Sequence, residues 1–304
     1  MKSFLCLQAL QLYVTLKKTM RGVDMQYTSV PREIFAPCRQ PGTLQLFTYE
    51  SRRQQKSALV YLPYGYSDNG VDYPTLYLMH GGGGDHNEFF GGLEAKSGLK
   101  NLLDNMIAQG RCKPMIVVTP TYMIDGVDGA RRQIGEAMQL THRFPEEFRK
   151  DLLPAIHAHF RAADDRRMRA FGGFSMGGET TWSIFAQAAD LVHTILPLSG
   201  DYWAVGLKGG KDYPVETADA LIASLRETGV QPGDWLALPC TGDKDIAYEA
   251  LDPMVHELGK RQPWFTPGET PEQGNLCYLL KPNGWHTYDD CNEYLWHVAS
   301  WLFR

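Results

Sequence analysis

The sequence predicts an α/β domain: a mainly parallel central sheet of eight strands flanked by helices. Three observations lead there. From about residue 42 onward, short strand-like apolar runs alternate with longer stretches of helical periodicity. Most of the later strand-like runs lack a clean in-out alternation, as strands covered on both faces do. No internal repeat or low-complexity linker divides the chain after residue 42, so residues 42–304 read as a single domain. Residues 1–41 carry no such pattern and read as an N-terminal arm, either strapped onto the domain or partly disordered.

Taken in order, G-T-L-Q-L-F-T-Y-E (42–50) and S-A-L-V-Y-L-P (57–63) read as paired outer strands around the polar turn S-R-R-Q-Q-K. P-T-L-Y-L-M-H (74–80), P-M-I-V-V-T-P (114–120), R-M-R-A-F-G-G-F (167–174), H-T-I-L-P-L-S (193–199), W-L-A-L-P-C-T (235–241) and L-C-Y-L-L-K-P (276–282) supply the inner strands. Apolar residues at three- and four-residue intervals predict helices over 145–160, 177–189 and 292–303. The glycine-rich segments 83–95 and 200–215 read as loops at the carboxyl ends of strands, where open α/β sheets place ligands.

Composition narrows the function classes. With 43% hydrophobic and 21% charged residues, the 304-residue chain can bury a sizeable core. A net charge of -5 supplies no cationic field for nucleic acid, and no run of 18 apolar residues is present to span a membrane. The six cysteines have no metal-ligand spacing and read as buried thiols. The opening M-K-S-F-L-C-L-Q-A-L has the start of a signal peptide, but it lacks a small-x-small cleavage site and runs into Lys17 and Lys18. A cytoplasmic location is therefore favoured over secretion.

The chemistry centres on G-F-S-M-G (173–177), a G-x-S-x-G motif between an apolar strand and a helix. In that context the glycines permit a tight turn that lifts the Ser175 hydroxyl above the sheet. A serine needs a base, and among nine histidines His286 falls just after the last predicted strand and before the final helix. An acid is expected after the penultimate strand, where T-G-D-K-D (241–245) offers both Asp243 and Asp245; local chemistry leaves the choice open. H-G-G-G-G (80–84) ends the strand 74–80, and its backbone can approach an oxyanion, with donors expected from Gly82 and Met176. His80 is expected to anchor that loop. No histidine and carboxylate set suggests zinc, the glycine run lacks the Lys-Ser/Thr of a phosphate loop, and no metal or organic cofactor is expected.

With Y-L-M-H-G-G-G-G (77–84), I-V-V-T-P-T (116–121), G-G-F-S-M-G-G (172–178), P-L-S-G-D-Y-W (197–203), T-G-D-K-D-I-A-Y (241–248) and G-W-H (284–286) in this order, the chain resembles the esterase-D-like branch of the α/β hydrolases. Within it, carbohydrate esterase family 1, with its feruloyl (cinnamoyl) and acetyl xylan esterases, is the nearest match. The resemblance covers about residues 42–304 and implies an α/β-hydrolase fold, with Ser175 as nucleophile, His286 as base and Asp245 as the acid. Some relatives carry the acid one place earlier, where this chain has Lys244. It further implies a hydroxycinnamoyl ester of a plant cell-wall saccharide as substrate, with Trp203, Trp285 and Tyr122 as aromatic walls and Asp201 as a polar contact or loop cap. The alternatives are a short-acyl carbohydrate esterase and a saccharide-binding protein on an inactive scaffold.

Overall fold

A computed structural model of the chain describes residues 24–66, 70–122 and 134–303; the signal-like opening lies outside them. The strands are β1 (Thr43–Ser51), β2 (Gln54–Leu62), β3 (Thr75–Met79), β4 (Ile116–Thr119), β5 (Arg169–Phe174), β6 (Thr194–Leu198), β7 (Leu236–Ala237), β8 (Cys240–Gly242) and β9 (Leu279–Lys281). They form one sheet in the order β1-β2-β4-β3-β5-β6-β8-β9, with β7 also on β6. All pairings from β4 through β9 are parallel, and the antiparallel β1–β2 hairpin forms one edge. This is the α/β-hydrolase fold.

The differences from the expected elements have local causes. Arg52 and Arg53 take positive φ (52° and 63°), so Ser51 pairs directly with Gln54 and the hairpin turn is two residues, not six. Pro239, with no N–H to give a ladder, divides the expected strand 235–241 into β7 and β8. The helices are α1 (Leu99–Ala108), α2 (Ile134–Glu147), α3 (Leu153–His159), α4 (Met176–Ala188), α5 (Gly209–Asp212), α6 (Pro214–Thr228), α7 (Tyr248–Gly259) and α8 (Tyr288–Val298). The helix expected over 145–160 is the end of α2, a wide π turn at Phe148–Leu152, and α3. The final helix begins earlier than the apolar pattern implies, because the Thr287 side chain accepts a hydrogen bond from Asp290 N–H and caps α8. The segment expected as a loop over 200–215 closes with the short α5.

Core layers lie on both faces of the sheet. Along β3, Leu76 and Leu78 enter one apolar cluster with Phe90 and Leu295, while Tyr77 and Met79 enter the other with Phe171 and Met254. That is why the inner strands show no alternation. Of the N-terminal arm, residues 24–41 pack on this framework: Met25 N–H donates to Tyr278 O (2.7 Å), Ile34 is buried, and the Asn105 amide donates to the Ile34 and Ala36 carbonyls. No helix among the described residues is long and apolar enough to cross a membrane.

Candidate active site

β5 ends at Phe174 and α4 begins at Met176, leaving Ser175 alone at the turn with φ 56° and ψ −119°. A non-glycine residue rarely occupies that region, and the surroundings hold it there. Ser175 N–H donates to Leu198 O of β6 (2.9 Å), and Ser175 O accepts from Glu179 N–H (3.1 Å). Close backbone approach explains the flanking glycines. A Cβ on Gly177 would fall 2.0 Å from Met79 O, and one on Gly173 would fall 2.5 Å from Gly177 O. The serine thus stands at the amino end of α4, where the helix dipole favours negative charge.

His286 Nε2 lies 2.9 Å from Ser175 Oγ, and its Nδ1 lies 2.7 Å from Asp245 Oδ1. Asp245 is buried and its Oδ1 also accepts from Ala247 N–H (2.7 Å). The neighbouring Asp243 faces elsewhere: its Oδ1 accepts the Asn283 N–H at 2.7 Å. Of the two acids the sequence leaves open, Asp245 is the one against the imidazole. The ring of His286 also packs on Phe174 at 4.5 Å between centroids, and Tyr288 packs on the same phenylalanine at 4.8 Å.

The glycine loop after β3 comes up to this turn. A Cβ direction from Gly81 meets Ser175 Cβ at 3.4 Å, and that from Gly82 meets Met176 Sδ at 3.9 Å. Among the described residues, the Gly82 and Met176 N–H groups have no protein acceptor. His80 is 1% exposed and anchors the loop: its Nδ1–H donates to Gly81 O (2.7 Å), so Nε2 accepts from the Thr121 hydroxyl (2.8 Å). Burial pushes its pKa down to about 4, which keeps the ring neutral.

The expected aromatic walls divide. Trp285, one residue before His286, is 62% exposed, and Trp203 is half-buried near the Asp201 carboxylate. Tyr122 differs from the expectation of an open wall. It is buried, and its hydroxyl donates to Met176 O (3.0 Å) and meets Thr180 Oγ1 (2.5 Å), beneath the start of α4. Asp201 likewise is buried and holds a loop together, accepting Gly210 N–H at 2.9 Å, which is its loop-cap alternative.

Several residues around the site were not singled out from sequence. Tyr288 Oη accepts the Gly81 N–H (3.0 Å), tying α8 to the glycine loop. Asp290 Oδ2 accepts from Trp285 N–H and the Thr287 hydroxyl, both at 2.8 Å, while Oδ1 pairs with Lys281. Lys281 also pairs with Glu293 (2.5 Å), which accepts from Tyr27 of the arm (2.6 Å). The Thr-x-x-Asp spacing of 287–290 is a helix-start signal, and it was the available clue to Asp290.

Residues 51–258 match the family model Esterase, described as "Putative esterase". The chain is 32% identical over 290 residues to endo-1,4-beta-xylanase Y of Acetivibrio thermocellus, covering 92% of this chain and 25% of that protein. It is 34% identical over 188 residues to an endo-1,4-beta-xylanase/feruloyl esterase of Xylanibacter ruminicola, covering 59% of this chain and 23% of that protein. The chain therefore spans about a quarter of the length of these relatives. Among solved structures, a serine-to-alanine mutant of the feruloyl esterase module from Clostridium thermocellum, complexed with sinapinate, superposes with a TM-score of 0.79. It is 30% identical, over 93% of this chain and 95% of that one. This chain belongs to the esterase family of the α/β hydrolases, in its feruloyl-esterase-like carbohydrate esterase family 1 branch, and is a serine esterase.

Proposed function

We propose that the chain hydrolyses hydroxycinnamoyl esters of plant cell-wall saccharides through an acyl-enzyme on Ser175. The observation that carries the mechanism is the unbroken line from Asp245 through His286 to Ser175, at 2.7 and 2.9 Å. His286 Nε2 takes the hydroxyl proton as Ser175 Oγ attacks the ester carbonyl, and Asp245 holds the Nδ1–H tautomer and stabilises the imidazolium. The oxyanion forms against the N–H groups of Gly82 and Met176, each such donor being worth about 10²–10³ in rate. Collapse expels the sugar oxygen, which receives the proton from His286. A water, deprotonated by the same imidazole, then attacks the acyl carbon, and collapse returns Ser175 and releases the carboxylic acid.

The acyl group is inferred from two supports. A relative of 30% identity carries sinapinate, a hydroxycinnamate. Here the exposed indole of Trp285 stands beside the base, and aromatic faces stack phenolic or sugar rings. The test is kcat/KM on methyl ferulate, acetylated xylo-oligosaccharide and p-nitrophenyl acetate, with Ser175→Ala in parallel. Methyl ferulate is expected to exceed the acetyl esters by tenfold or more, and all rates to vanish in the variant. A preference for acetyl xylan would replace the acyl assignment, and a variant that keeps its rate would overturn the mechanism.

A further inference from the structure

A groove of about 500 Å³ opens at the end of the sheet opposite Ser175. Its lining includes His193 and Leu236, which stand at the amino ends of β6 and β7. Ser175, by contrast, hydrogen-bonds to Leu198 at the carboxyl end of β6. Five residues of strand separate the two ends, about 16 Å at the usual rise, so the groove is no extension of the catalytic site.

Its walls have a distinct chemistry. Trp235 lines it at 2% exposure, and its indole Nε1–H has no partner among the described residues. Trp235 packs against Phe185, Trp264 and Phe265 as the floor, and Trp301, half-buried, supplies the indole with exposed surface. The lining also includes the loop that carries Glu272 and Gln273. That loop is fixed before any ligand arrives: Asn275 Oδ1 accepts Thr266 N–H (2.7 Å), its amide donates to Trp264 O (2.9 Å), and Leu276 N–H donates to Thr266 O (3.1 Å). The Gln273 carbonyl is engaged by Glu269 N–H (2.9 Å), and its exposed amide nitrogen can still donate.

Charge decides against an anionic ligand. Among the described residues no lysine or arginine lines the groove, and Glu272 is the one carboxylate that does. The nearby Arg166 and Arg167 are paired with Asp234 at 2.8 and 3.0 Å. His193 is kept neutral, its pKa pushed down to about 4 first by burial and then by those arginines. The half-buried Trp301 indole for stacking, the exposed Gln273 amide for hydroxyls, and no lysine or arginine among the described lining residues suit a neutral polyhydroxylated ring.

We infer that this groove binds a neutral saccharide chain, separately from ester cleavage, and so holds a polymeric substrate at a second point. Binding is to be measured by titration calorimetry on the Ser175→Ala protein with xylohexaose and cellohexaose, and with ferulate as the anionic control. At least one hexasaccharide is expected to bind, with affinity reduced tenfold or more by Trp301→Ala and by Gln273→Ala. In the otherwise wild-type enzyme, both substitutions are expected to leave kcat/KM on methyl ferulate unchanged. Gln273→Ala, at an exposed position, remains informative where Trp301→Ala loses stability. Absence of hexasaccharide binding, binding indifferent to Gln273→Ala, or preferential binding of ferulate at the groove would overturn the inference. None of these results bears on the acyl specificity, which methyl ferulate turnover reads independently.

Discussion

Asp243 and Asp245 are the same functional group two positions apart, and only their geometry separates them. Asp245 stands beneath the imidazole, whereas Asp243 closes a turn by accepting the Asn283 N–H across the loop. The two substitutions to asparagine therefore have different expected outcomes. Asp245→Asn loses the charge that stabilises the imidazolium and sets the tautomer, and kcat on methyl ferulate is expected to fall by about 10⁴-fold. Asp243→Asn retains an acceptor for the Asn283 N–H, and is expected to keep its rate and lose at most about 1 kcal/mol of stability in urea titration. The reverse order of rates would move the acid to Asp243. At this scale the pairing of Ser175 with His286 was legible because the roles proposed for them demand fixed residue types at fixed places in the fold. Tyr122 was not, since proximity in sequence to T-P-T says nothing about which way its ring turns. The structure sends it under α4, where its hydroxyl finds the Met176 carbonyl.

Segment 279–290 shows what an element must do to deliver one side chain. β9 ends at Lys281 and α8 begins at Tyr288, and His286 lies in the connection between them. Asp290 reaches back from the first turn of α8 to hold the Trp285 N–H next to the histidine, and Lys281 locks the same carboxylate from β9. Asp290 is thus a positioning residue. Asp290→Ala is expected to lower kcat for methyl ferulate by about 10²-fold, the cost of a base displaced by about 1 Å, with little change in KM. Asp290→Asn keeps an acceptor for the Trp285 N–H and is expected to recover much of that loss. Equal defects in the two variants, or a change confined to KM, would argue against positioning. The alternation of strands and helices was legible in the sequence because each strand of a parallel sheet announces itself by a locally dense apolar run. Breaks inside an element were less legible. The division at Pro239 and the wide turn after Glu147 depend on pairing and packing partners far along the chain. The docking of residues 24–41 was hidden for the same reason, its contacts being with Tyr278, Leu279 and Asn105.

Across the whole molecule, burial works on two classes of titratable group in opposite directions, and stability against pH is squeezed from both sides. His80 is held to about 4 against 6.5 when unfolded, so below pH 6.5 the unfolded chain binds a proton that the native state refuses. Its contribution is complete above pH 6.5 and is lost as pH falls toward 4, a loss on the order of 3 kcal/mol for so buried a ring. Glu179 acts the other way. Burial, with the Asp201 carboxylate nearby, holds its pKa well above the usual value, so the native state keeps a proton that the unfolded chain releases. Stability from that group is complete below about pH 4.5 and declines as pH rises. Removing each ionisation should separate the two slopes in thermal midpoints measured from pH 4.5 to 8.5. His80→Gln is expected to lower the midpoint at pH 8 yet fall less steeply toward acid. Glu179→Gln, nearly isosteric with the neutral acid, is expected to match the wild type at pH 4.5 and to exceed it at pH 8. If it is instead less stable at pH 8, Glu179 is ionised and satisfied in the native fold, and the alkaline decline has another origin.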